Sequence, residues 1–85
     1  MFLHLGGGRL VRKSDVTGIF DLDITSQSHI TRSYLAAAEK AGRVVNAAED
    51  IPKSFVVCRE NGRDTVYLSQ MSCQTLLKRS AEHGV

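Results

Sequence analysis

The chain is predicted to adopt an α+β fold: a small, mostly antiparallel sheet of about five to six short strands with two helices, over about residues 27–41 and 72–82. Three observations carry this. Asn61-Gly62 sits between the β-favouring runs SFVVCRE and RDTVYLS, and Asn-Gly is the residue pair a type I′ hairpin turn demands. Other short apolar runs are punctuated by Gly6-Gly7-Gly8 and Ser14-Asp15. Two segments with apolar residues at helical spacing each follow a cluster of capping residues.

In chain order, residues 2–5 alternate and meet the three glycines, read as a tight turn. RLVRK, from Arg9 to Lys13, follows as a second strand and completes an N-terminal hairpin, which Ser14-Asp15 breaks. VTGIFDL, from Val16 to Leu22, forms a third strand, with Ile19 and Phe20 as core anchors and Gly18 at a bulge or close-packing point. Thr25-Ser26-Gln27-Ser28 offers several N-caps. After it Ile30, Tyr34, Ala37, Ala38 and Ala41 recur at helical spacing, Leu35 widens the stripe, and Gly42 stands where a C′ glycine ends a helix. The run Ala36, Ala37 and Ala38 allows close packing on a sheet or a partner. RVVN, from Arg43 to Asn46, reads as a short strand, and residues 47–53 as a loop that Pro52 keeps irregular.

A two-residue loop at Asn61-Gly62 then fixes the register. It pairs Glu60 with Arg63, Arg59 with Asp64, Cys58 with Thr65, Val57 with Val66, Val56 with Tyr67 and Phe55 with Leu68. Opposite-charge and apolar cross-strand pairs each contribute roughly 0.2–1 kcal/mol. Phe55 to Cys58 is apolar on both faces, which predicts a strand covered on both sides. Ser69 or Ser72 caps the last helix. Its apolar positions are Leu76, Leu77 and Ala81, and Lys78 and Arg79 suit its C-terminal half.

At 85 residues the chain is expected to be one domain that buries about 60–65% of its unfolded surface, so self-association would add useful stability. Its net charge of +2 and pI of 8.7 lean basic, short of the pI above about 9 that marks a strong nucleic-acid footprint. Cys58 and Cys73 form neither a disulfide framework nor a metal-ligand spacing. Neither a signal peptide nor a membrane span is read, so a cytoplasmic protein with reduced thiols is expected.

Candidate sites are few. Gly6-Gly7-Gly8 feeds a strand, so it reads as a hairpin turn rather than a phosphate cradle. His4, His29 and His83 have no neighbouring nucleophile or orienting group. Cys58 reads as a buried small hydrophobe. Cys73 falls in a first helical turn, a position that can lower a thiol pKa, although a structural role is favoured. Asp21 and Asp23 alternate along a strand end and read as a polar edge before a metal pair. No catalytic group, metal, cofactor or small-molecule substrate is expected.

The basic residues say more. Arg9 and Lys13 share a face of an extended strand, with Arg12 opposite unless the strand end bends. Arg43 precedes the RVVN strand and Lys53 the central one. Brought together, these five would give three or four phosphate contacts per chain, hence weak, salt-sensitive binding that an oligomer multiplies. The plain alternative is a solvated basic edge that blocks strand addition.

MFLHLGGGRLV, DVTGIFDLD at Asp15–Asp23, and IPKSFVV at Ile51–Val57 followed by YLSQMSCQTLLKRS resemble the small bacterial extracellular-matrix regulators of the Rem type. The resemblance covers nearly the whole chain and is closest to the branch called extracellular matrix regulatory protein B. It implies an oligomeric regulator. The sister A branch is a ring-forming DNA-binding activator of matrix genes, with arginines in the loop after the second strand and in the loop before the hairpin. Here those positions fall at Asp15 and at Ile51-Pro52, with Lys53 the nearby base, so the A-type DNA site does not carry over.

Two functions are expected from this. The first is an oligomeric DNA-binding regulator that uses Arg9, Arg12, Lys13, Lys53 and Arg43. The second is a non-enzymatic interaction module that contacts itself or a partner through Ile51 and Pro52. A hydrolase or nucleotide-binding enzyme would need a pocket that unites a histidine with Asp21 and Asp23.

Overall fold

The central hairpin sets the frame. In the computed structural model, which describes residues 1–22 and 28–81, Asn61 and Gly62 take φ of 54° and 78°, the two positive values a type I′ turn requires. Strands β5 (Ser54–Glu60) and β6 (Arg63–Ser69) flank the turn. Every predicted pair is found, from Glu60 opposite Arg63 to Phe55 opposite Leu68.

The chain reaches this hairpin through β1 (Phe2–Gly6), β2 (Arg9–Arg12), a 3-10 turn at Lys13–Asp15, β3 (Val16–Asp21), α1 (His29–Lys40) and β4 (Val44–Asn46), and leaves it through α2 (Cys73–Ala81). The six strands divide between two sheets, where one was expected. β1 pairs with β2 alone, and the larger sheet has the order β3-β5-β6-β4, with β4 parallel to β6 and the other pairs antiparallel. The 3-10 turn makes the division, because it carries the chain from the first sheet into the edge of the second. The β3–β5 register slips between Val16 and Gly18, which is the expected bulge.

Side-chain alternation along β5 builds two cores. Val56 and Cys58 join Leu3, Leu5, Val11, Tyr67 and Leu76 under the N-terminal hairpin and α2. Phe55 and Val57 join Val66 and Ala38 under α1. The central strand is therefore covered on both sides, as its apolar run predicts. Two buried serines tie the layers at one end of the strands. Ser69 Oγ donates to the Leu5 carbonyl at 2.6 Å and accepts from Met71 N–H at 3.1 Å. Ser54 Oγ donates to the Met71 carbonyl at 2.7 Å.

Capping is as read, with adjustments. Ser28 accepts from Thr31 N–H at 3.5 Å, and the rest of the expected capping patch lies outside the described residues. Gly42 and Arg43 donate back to the carbonyls of Glu39 and Ala38, the paired bonds of a Schellman motif. Ser72, not Ser69, caps α2 and accepts from Thr75 N–H at 3.1 Å. Residue 82, the expected end of that helix, is outside the described residues.

Three apolar expectations are corrected. α1 meets the sheet along Tyr34, Leu35 and Ala38, so Ile30, Ala37 and Ala41 stay exposed. In α2 only Leu76 is buried, while Leu77 is 50% exposed and Ala81 is also exposed. Helical spacing groups residues on one side, but the partner surface decides which line is covered. Phe20 stacks on Phe55 with centroids 5.0 Å apart, yet it stays 39% exposed because β3 is an edge strand.

Candidate nucleic-acid interface

β2 ends at Arg12 and the chain bends at once into the 3-10 turn, where Lys13 N–H donates to the Met1 carbonyl at 3.0 Å. The bend brings Arg12 beside the hairpin tip, where it lines a polar cavity of about 420 Å³ with Asp15, Glu60 and Asn61. Arg43 reaches the same end of the strands from the far side of β6. Its carbonyl accepts from Val66 N–H, and its Nη1 donates to the Asp64 carbonyl at 3.0 Å. Arg43 is therefore partly committed to bracing β6.

Arg9 stands further back. Its guanidinium lies 6.0 Å from the ring centroid of Tyr67, a cation–π contact worth about 0.5–1 kcal/mol where exposed. The Tyr67 hydroxyl in turn donates to the Glu60 carboxylate at 2.9 and 3.0 Å.

Lys53 does not join this group. Its N–H donates to the Ser69 carbonyl at the opposite end of the central strand. Seven residues of β5 separate it from the tip, roughly 20 Å at strand rise. Two further arginines do join it. Arg59 and Arg63 flank the turn, both exposed. Arg59 meets Asp64 at 3.4 Å with its side chain 63% exposed, a surface pair worth at most about 1 kcal/mol. The hairpin register by itself places both at the tip. The tip end thus gathers Arg12, Lys13, Arg43, Arg59 and Arg63 against Asp15, Glu60 and Asp64, an excess of positive charge.

The opposite end carries the loop at residues 47–53. Gln70 Oε1 accepts from Glu49 N–H at 2.7 Å and from Asp50 N–H at 3.1 Å. Asn46 Oδ1 accepts from Ala48 N–H, and Asp50 Oδ1 from Ile51 N–H at 2.8 Å. These bonds fix the loop while Ile51 stays 77% exposed.

The described histidines stay apart. His4 faces Leu10 in the N-terminal hairpin, and His29 opens α1. His83, and Asp23 of the expected Asp21–Asp23 pair, lie outside the described residues. Among the described residues no three His, Cys, Asp or Glu side chains converge as a metal site, and no helix is long and apolar enough to cross a membrane. Cys73 does not have the lowered pKa its first-turn position allows. Burial, and then the nearby Asp21 charge, push it up, and its thiol reaches the Ile19 carbonyl at 3.7 Å.

Burial, with Glu60 and Asp15 adding to it, pushes the Cys58 thiol up to about 12. Burial and the Glu60 hydrogen bond push Tyr67 up to about 12. Both groups keep a proton when folded that the unfolded chain releases nearer 9 and 10. Their contribution to stability is therefore complete below about pH 9 and is lost as pH rises toward 12. Melting temperature followed from pH 7 to 11 should be flat at first and then fall, with the upper part of the fall reduced in Tyr67→Phe. A melting temperature independent of pH up to 11 would contradict this.

A family model described as extracellular matrix regulatory protein A-like (RemA-like) matches residues 2–79 of the chain. A search of curated proteins finds no match.

Proposed function

Because the chain belongs to the RemA-like family of extracellular matrix regulatory proteins, we propose that it is an oligomeric, non-enzymatic DNA-binding regulator of matrix- or biofilm-type genes in the cytoplasm. The observation that carries the reading is the basic hairpin-tip end, where Arg12, Lys13, Arg59 and Arg63 stand with Arg43 behind them. Such a surface grips phosphates and reads few bases. Each copy binds weakly, and several copies on one duplex bind firmly. Within the family we assign the chain to the B-type branch, since Asp15 and Ile51-Pro52 occupy the positions at which the A-type resemblance expects arginines.

Asp15 and Glu60 temper the surface, because they share the Arg12 cavity and oppose a phosphate there. Glu60→Gln is accordingly expected to tighten DNA binding, and Arg12→Ala with Arg63→Ala to weaken it about tenfold or more at low salt. Fluorescence anisotropy with a duplex probe measures both. Unchanged affinity in the double variant would remove this surface from DNA binding.

A second reading rests on a different observation, the exposed Ile51 on a loop held by Gln70. It makes the chain an interaction module that has lost DNA binding, and it requires that no duplex binds even at low salt.

A further inference from the structure

Two of the exposed apolar features have shapes that can meet between copies. One is the Ile51–Pro52 knob. The other is a groove of about 340 Å³ on the α1 side of the larger sheet, lined by Thr17, Phe20, Ile30, Tyr34, Phe55 and Val57. The cleft around the knob is formed by Asp50, Ile51, Pro52, Lys53 and Gln70. It shares no residue with the groove, so the knob does not fill the groove of its own chain.

We infer that Ile51 and Pro52 of one copy seat in this groove of a second copy, an assignment that rests on the oligomeric reading above and gives it a surface. The knob is preorganised by the Gln70, Asn46 and Asp50 hydrogen bonds, so docking it costs little ordering entropy. The groove is equally ready. Thr17 Oγ1 donates to the Val57 carbonyl at 3.0 Å along its floor, and the Phe20–Phe55 stack closes one part.

Charge favours the same match. Glu49 and Asp50 lead into the knob, with Lys53 after it. Arg32, exposed on α1, follows the groove residue Thr31. Size limits a single contact, since a stable interface buries about 1,200–2,000 Å² and two side chains supply far less. The contact holds when it is repeated, reciprocally in a pair or successively around a closed assembly.

Sedimentation velocity on the full chain tests this. Ile30 is 79% exposed and Ile51 77%, so aspartate at either position leaves the fold intact, which circular dichroism checks. Ile51→Asp and Ile30→Asp are each expected to raise the concentration needed for assembly about tenfold or more, because a carboxylate must enter an apolar contact. An equimolar mixture of the two variants should still assemble less than the unaltered chain, since a mixed pair keeps only one intact contact of knob and groove. Leu77→Asp, on α2, should assemble like the unaltered chain. An unaltered chain that stays monomeric at every concentration overturns the oligomeric reading and this contact together. Normal assembly of the isoleucine variants, alone or mixed, or an equal loss in Leu77→Asp overturns the contact and leaves the oligomeric reading standing.

Discussion

Leu76→Ala is expected to destabilise the protein by about 2–5 kcal/mol, whereas Leu77→Ala should stay within about 0.5 kcal/mol. The neighbours differ because Leu76 has no exposed surface and Leu77 keeps half of its own. Leu76 is the only buried residue of α2 among those described, and it enters the core beside Leu3, Leu5 and Val56. Its truncation leaves a cavity and removes the anchor of the helix at once. For a domain of this size the loss corresponds to a fall in melting temperature of roughly 10–25 °C. Thermal unfolding by circular dichroism measures it, and equal shifts in the two variants would refute this placement of α2.

Gly7→Ala is expected to cost about 2–4 kcal/mol, and Gly8→Ala only about 1 kcal/mol. Both residues have positive φ, 57° and 75°, so both pay for the left-handed backbone. At Gly7 an added Cβ would also lie 2.6 Å from the Ala47 carbonyl oxygen, a backbone atom that cannot swing aside, while at Gly8 nothing lies within 4 Å. The triple glycine is therefore more than a turn. Its middle member lets the N-terminal hairpin press against the loop that presents Ile51. Gly7→Ala should lower the melting temperature well below that of Gly8→Ala, and hydrogen exchange should rise at Ala48 and Glu49. Equal stability of the two variants would mean that the hairpin and the loop are not in contact.

How far the fold is legible depends on how local its determinants are. The β5–β6 register follows from Asn61-Gly62 because a two-residue turn leaves no freedom in the pairing. The bulge at Gly18, the cap at Ser28 and the stop at Gly42 are local too. The division into two sheets is not, since it depends on how Lys13–Asp15 turns and on which strand edge β3 then finds. Ile30 and Leu77 show the same limit. Both fit an apolar helical stripe, and both are exposed because tertiary packing chose a neighbouring line.

The site divides along similar lines. Arg12 and Lys13 are legible as a cluster because they are adjacent, while Arg12 remains the last paired residue of β2 and the 3-10 turn begins at Lys13. Arg43 was seen as a base without its bond to the Asp64 carbonyl, which joins residues 21 apart in the chain. Lys53 reads from sequence as part of the same cluster, yet β5 carries it to the opposite end. Arg59 and Arg63 read from sequence as cross-strand partners of Asp64 and Glu60, and the same register places them at the tip beside Arg12. The Gln70 clamp on the 47–53 loop has no local signature, because a glutamine side chain that holds two backbone amides about 20 residues away resembles any surface glutamine.

The hairpin-tip end is proposed to bind DNA by its phosphates. The most direct test is a fluorescence anisotropy titration of a duplex probe across 50 to 200 mM salt, with the unaltered chain and with Arg12→Ala combined with Lys13→Ala. Three phosphate contacts per copy give a log–log slope of about −2.7 and a loss of roughly fortyfold in affinity over that range. Removal of two contacts should bring the slope to about −0.9 for each bound copy. A slope near zero, no binding at the lowest salt, or the same slope in both proteins would contradict the claim.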